Sequence, residues 1–287
     1  MTAPVIVGTD GGPGAADALA LGRWLAGAQR VPLIVAVVHP APSAIGSGRV
    51  DAEWVADRHR AAERILAGAR AALDDTPGVD YRVVASTSAA HGLHDLAEQT
   101  GAAMLVVGSG ASAPAARILA GSTAQRLLAG SVCPIAVTPA GGGPAPGTLG
   151  RIGVAYVDTP DGRVALAAAA DLARRTGNPL LLVTVVAGGD AALPFLIGDD
   201  AERAFLETAR ETYEEALRRA AATVPDVPVE WQLRSGDVVQ QLAGLDEVDV
   251  LFCGSRGYGP ARRVLLGGVS GRLLRRAARP LVVAPRA

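Results

Sequence analysis

The chain has 287 residues, 49% of them hydrophobic and 3% aromatic, and a formal net charge of −1. That is long enough for two ordinary domains, and too neutral and too poor in aromatics for nucleic acid or an anionic membrane to be the main partner. All 27 basic side chains are arginine, which excludes a P-loop and Schiff-base chemistry, because both need a lysine amine.

In chain order, β-rich runs alternate with amphipathic stretches. The first half predicts strands over Val5–Thr9, Leu33–Val38, Tyr81–Ala85, Met104–Val107 and Ile135–Thr138, and helices over Ala15–Gln29, Ala52–Leu73, Leu93–Gln99 and Ser122–Ala129. A Gly/Pro-rich stretch, Pro139 to Gly147, has the composition of a linker. The second half then predicts strands over Ile152–Val157, Leu180–Val186, Val229–Leu233, Val250–Cys253 and Leu281–Ala284.

The halves are copies of one another. Val5-Ile6-Val7-Gly8 aligns with Ile152-Gly153-Val154-Ala155 and Pro13 with Pro160 at an offset of 147, while Leu105-Val106-Val107-Gly108-Ser109 aligns with Leu251-Phe252-Cys253-Gly254-Ser255 at 146. A near-constant offset over a whole half indicates duplication. The expected architecture is α/β: two tandem doubly wound domains with five-stranded, mostly parallel sheets, over residues 1–139 and 151–287 with a linker over 140–150. Ligands of such sheets sit beyond the carboxyl ends of the strands, where the strand order reverses.

Apolar runs such as Val31–Val38 stop short of membrane-spanning length, and the first residues lack the pattern of a signal peptide, so a cytoplasmic protein with no membrane partner is expected. Cys133 and Cys253 read as buried thiols rather than a disulfide or metal set. No metal site is expected: His91 and His94 read as a solvated helix end, and Arg272, Arg275, Arg276 and Arg279 as a solvated helical face. No nucleophile elbow or acid/base pair is recognisable, so no catalytic residue is assigned.

The strongest chemical signal follows the fourth strand of the second copy: Gly254-Ser255-Arg256-Gly257, then Gly267-Gly268-Val269-Ser270 opening the last helix. Glycines let phosphate approach backbone N–H groups, and a helix N-terminus adds favourable partial charge. With Val7-Gly8-Thr9-Asp10-Gly11-Gly12-Pro13 at strand one, this spacing resembles the ATP-binding motif of the universal stress protein family, and the resemblance spans both copies. It implies a Rossmann-like fold of the adenine-nucleotide α-hydrolase kind. It also implies a strand-one Asp on the adenosine moiety, strand-two backbone beside adenine, and a glycine loop on the phosphates.

Carried over by position, the resemblance assigns Asp10, Val37, Gly108, Gly121 and Ser122 in the first copy, and Val185, Gly254, Gly257, Gly267, Gly268 and Ser270 in the second. Each copy departs once from the pattern: Ala111 stands for the second loop glycine in the first, and Val157 for the strand-one Asp in the second, with Asp158 able to replace it only if the strand slips by one residue. The expected function is an ATP-binding (or related adenine-nucleotide-binding) regulator in the stress response, with Mg as a candidate companion ion and an unidentified protein partner. In the family the fifth strands of two domains pair, which would make this chain an intramolecular pseudo-dimer and is compatible with a further homodimer. The alternatives are a scaffold with vestigial nucleotide pockets or a slow ATP hydrolase.

Overall fold

Each half of the chain builds its sheet from runs that are apolar on both faces, which is what a parallel sheet between two helix layers requires. The computed structural model describes residues 2–41, 52–74, 76–141, 150–186, 199–255 and 268–285. The chain divides into two compact units, Met1–Thr148 and Leu149–Ala287.

The first unit runs β1 (Val5–Gly8), α1 (Ala15–Gln29), β2 (Leu33–Pro40), α2 (Ala52–Ala72), β3 (Val79–Ser86), α3 (Ala89–Thr100), β4 (Met104–Val107), α4 (Ser122–Gly130), β5 (Ile135–Val137). The second runs β6 (Ile152–Ala155), α5 (Pro160–Thr176), β7 (Leu180–Val186), α6 (Asp199–Ala222), β8 (Val229–Ser235), α7 (Val238–Ala243), β9 (Val250–Gly254), α8 (Gly268–Leu273), β10 (Leu281–Ala284). Strand order is β3-β2-β1-β4-β5 in the first unit and β8-β7-β6-β9-β10 in the second, with parallel pairing inside each. The order reverses between β1 and β4, and again between β6 and β9, so the chain leaves a crevice at the carboxyl ends of those strands.

The central strands β1 and β4 are buried along their whole length. The outer strands β3 and β8 are half-buried and carry charges, including the Asp80–Arg82 ion pair on β3, which discourages pairing with foreign strands. Among the described residues no helix is long and apolar enough to cross a membrane. Cys133 and Cys253 are both free and buried.

Helix boundaries follow local chemistry. Helix α3 starts at Ala89, not at the expected Leu93, because the Ser88 hydroxyl accepts from His91 N–H and caps it. His91 then pairs with Asp95 at 3.4 Å on the exposed side, and no cluster of three metal-ligating side chains forms among the described residues. Arg272, Arg275, Arg276 and Arg279 are all exposed, as expected, but α8 ends at Leu273, so Arg275, Arg276 and Arg279 lie beyond the helix. The expected linker is partly structured too: Ala116 N–H donates to Ala140 O, Ala140 N–H donates to Arg117 O, and Gly141 N–H donates to Asp17 Oδ2 at 2.8 Å. Residues 142–149 lie outside the described residues.

Helix α1 packs on β1 through Gly22, where an added Cβ would collide with Val7 Cγ2, whereas Gly27 on the same helix has open space around it. Gly22→Ala is therefore expected to destabilise the first unit by about 1–3 kcal/mol through overpacking. Gly27→Ala is expected to stabilise it by up to about 1 kcal/mol through the lower chain entropy of alanine. Urea unfolding midpoints of the two variants check both signs.

Candidate functional site

In the first unit, strand ends and two helix starts enclose a cavity of about 250 Å³, with Gly8 and Asp10 from the end of β1, Gly14 from the start of α1, Gly108 to Ala111 after β4, and Gly121 to Ala124 opening α4 among its lining residues. The segments meet because their backbones touch. A Cβ on Gly108 would strike Gly14 O, and a Cβ on Gly14 would lie 2.6 Å from Ser109 O. Neither position tolerates a side chain without moving the backbone.

The loop between β4 and α4 is fixed at both ends. Ser109 Oγ donates to Thr138 O at 2.6 Å and accepts from Leu119 N–H at 3.3 Å, while Gly110 N–H donates to Leu119 O at 2.8 Å. Ile118, fully buried, plugs the loop into the core. Ala111 lines the cavity and is absent from the residues with positive φ, so the alanine in place of the second loop glycine carries no backbone strain.

Electrostatically the cavity favours an anion through backbone rather than side chains. Helices α1 and α4 both start there, on Gly14 and Gly121, and neither start has a side-chain cap. By contrast α3, α5 and α7 are capped by Ser88, Thr159 and Asp237. The first N–H groups of a helix have no partner inside it; at α1 Ala15 N–H donates to Gly12 O at 2.9 Å, while the start of α4, Gly121 to Ala124, lines the cavity with donors and positive partial charge. The exposed Asp10 lines the same cavity, and its Oδ1 accepts from Gly12 N–H at 2.8 Å. That bond makes a side-chain turn. The other carboxylate oxygen accepts no hydrogen bond among the described residues.

Of the residues assigned from sequence in the first copy, Asp10, Gly108, Gly121 and Ser122 line this one cavity, and Val37 does not. Side chains alternate along a strand, and the register Gly8↔Ala36 places Ala36 and Val38 on the cavity side. Val37, 3% exposed, sits on the opposite face. The register Ala155↔Val183 makes Val38, not Val37, the counterpart of Val185.

The second unit differs. Its corresponding cavity, lined by Val157, Thr159, Gly162, Leu242, Cys253, Gly254, Val269 and Ser270 among others, has a volume of about 20 Å³. Gly254 and Ser270 line it, Val185 and Gly268 do not, and Gly257 and Gly267 lie outside the described residues, as does Arg256. Val157 lines it where Asp10 lines the first. Asp158 does not substitute: β6 ends at Ala155, and Asp158 Oδ1 accepts from Arg163 Nη1 at 2.5 Å and from Tyr156 Oη at 3.3 Å.

The offset of 146, held by both Leu105↔Ile135 and Leu251↔Leu281, sets Ser122 opposite Gly268 and Ser270 opposite Ala124. Ser270 is thus inside α8 rather than at its cap, and its hydroxyl donates to Gly254 O at 2.8 Å. Three residues escaped the sequence reading: Gly14, Ser109 and Asp161. The aligned prolines, Pro13 and Pro160, put Gly14 opposite Asp161, and that contrast was visible in the repeat itself.

This is the architecture of a tandem α/β protein whose crevice at the strand-order reversal is built around glycine backbone and helix N-termini. The universal stress protein family model matches residues 1–139 and 148–285. Universal stress proteins of Mycobacterium tuberculosis (strain H37Rv) and of Mycobacterium bovis are each 33% identical to this chain, over 98% of it and 99% of their own length. The crystal structure of a universal stress protein from Archaeoglobus fulgidus, 19% identical, superposes with a TM-score of 0.65 over 99% of this chain and 96% of its own. The chain belongs to the universal stress protein family, and carries two copies of the family's domain.

Burial pushes the Cys253 thiol up to about 12, against a smaller opposing effect of the Ser270 hydrogen bond. At pH 8 the thiol is therefore neutral and covered, and a thiolate-directed reagent is expected to leave it unmodified in native protein and to label it in guanidinium. Rapid native labelling at Cys253 would show that the second cavity opens.

Proposed function

We propose that the chain is an adenine-nucleotide-binding regulator of the stress response, that its ligand is ATP, and that the first unit holds it. The observation that carries this is the uncapped start of α4 opening on a cavity that Asp10 and the glycines after β4 also line. The volume, about 250 Å³, is close to the lower end of small-molecule pockets, about 300 Å³. The residues present suit such a ligand: phosphate oxygens against the N–H groups of Gly121, Ser122 and Thr123, and ribose hydroxyls donating to the Asp10 carboxylate. The backbone of β2 around Val37 and Val38 borders the base.

Mg would enter this site with the phosphates: Asp10 is the one carboxylate among the described lining residues, and it would meet the ion only through the ligand. Binding would act by ordering the β4–α4 loop, which hydrogen-bonds Ala140 at the exit from the first unit, so that occupancy changes the surface offered to a protein partner. A cytoplasmic location and a homodimer belong to the same reading. The second unit, with its small cavity, serves as the scaffold of that partner surface.

Isothermal titration with ATP tests the reading. Wild type is expected to bind, and Asp10→Ala to bind about 5- to 10-fold more weakly, the worth of one hydrogen bond near 1 kcal/mol. Ser122→Asp is expected to weaken binding at least about tenfold by setting like charge against phosphate, while a carboxylate in the first turn leaves α4 as stable or more so. ATP affinity unchanged in both variants, or absent from wild type, contradicts the assignment.

A further inference from the structure

The first unit has another cavity besides the one that Asp10 lines. It is a groove of about 460 Å³ between α1 and α2, within the range of small-molecule pockets, about 300–1,000 Å³. Thr9, Gly12, Pro13 and Ala15 border both cavities, so the turn after β1 is a shared wall.

The groove exists because the two helices turn short side chains toward one another. Ile65, Gly68 and Ala72 follow at helical spacing on α2, and Ala16 and Leu19 line the same space from α1. A Cβ built on Gly68 would meet nothing within 4 Å, so the space over it is open. At one end Ile65 Cγ1 lies 3.2 Å from where a Cβ on Gly11 would be built. At the other, one turn beyond Leu19, Arg23 Nη1 and Asp74 Oδ2 stand 3.8 Å apart and join α1 to the residues after α2. Between Ile65 and Ala72 the helix rises about 10 Å. The second unit does not repeat the pattern on α5, where the aligned prolines set Arg163 opposite Ala16, and Arg163 is ion-paired to Asp158 at 2.5 Å.

Arg64 is the one ionisable residue among the described residues of the lining, and it forms neither a hydrogen bond nor an ion pair among the described residues. Asp57, two turns earlier on α2, feels its charge, but that carboxylate is already held by Arg58 Nη2 at 2.8 Å. An apolar groove with a single unmatched cation suits a ligand with an apolar body and one negative charge. A partner helix, about 10 Å across, would need more than this volume over the same length.

We propose that the groove is a second binding site, for a small aliphatic monocarboxylate whose chain lies along Gly68 and Ala72 and whose carboxylate pairs with Arg64. The inference does not depend on what fills the first cavity.

Amide shifts of nitrogen-15-labelled protein, recorded with decanoate below its micelle concentration, test this in wild type, Gly68→Leu and Arg64→Gln, with thermal melts to establish folding. Leucine fills the groove and favours the helix over glycine, and glutamine removes the charge while keeping helix propensity. Wild type is expected to show saturable shifts at Gly11, Ile65, Gly68 and Ala72. Arg64→Gln is expected to bind about fivefold more weakly, the order of one exposed ion pair, and Gly68→Leu not at all. Decylammonium, with the same chain and the opposite charge, is expected to give no saturable shift. No saturable shift with decanoate in wild type, shifts that persist in folded Gly68→Leu, equal affinity in Arg64→Gln, or decylammonium binding as tightly as decanoate overturns the inference.

Discussion

Everything at the candidate site depends on the approach of two backbones, at Gly14 and Gly108. Because neither residue carries a Cβ, the start of α1 can rest on the end of β4, and the turn after β1 and the loop after β4 share one space. The sheet supplies the crevice, since β1 lies between β2 and β4 and its neighbours' connections leave in opposite directions. The glycines set its depth. A larger residue at either place would push α1 away and separate Asp10 from the N-terminus of α4.

In the second unit that constraint is relaxed on one side. Gly254 is retained and Gly14 becomes Asp161, so the strand end now meets a side chain. The cavity lined by its described residues is about 20 Å³, and Ser270, which lines it, donates its hydroxyl to Gly254 O at the strand end. The strands beneath are equivalent in order and register and just as buried, which separates the two demands on the sequence. Burial in a parallel sheet accepts any set of apolar residues of suitable volume, while the strand ends carry the chemistry and are free to diverge. Duplication preserved the first and altered the second.

Most of the fold was legible because parallel strands buried on both faces leave continuous apolar runs, and because two copies confirm each other. Helix α1 and strands β4, β7 and β10 fall on the residues read from sequence. The features that were not legible depend on three-dimensional register or single hydrogen bonds. The start of α3 depends on one serine cap, the end of α8 has no breaker to announce it, and the choice of Val38 over Val37 comes from which face of β2 meets the cavity. At the site, the glycine spacing led to Gly108, Gly121 and Ser122, since motif spacing survives in sequence. The same spacing led to Ser270, which lies inside α8 and lines the second cavity, and said nothing about Asp161, whose hydrogen bond with Ser255 joins residues 94 apart in the chain.

The central claim is that the backbone of the first unit, at the start of α4 and the end of β4, is what an adenine nucleotide touches. Amide chemical shifts recorded while ATP is added to nitrogen-15-labelled protein address it residue by residue. Saturable shifts are expected at Gly108, Gly110, Gly121 and Ser122, with Gly254 and Ser255 unmoved. Saturable shifts centred on Gly254 and Ser255, or none anywhere at millimolar ATP, would contradict it.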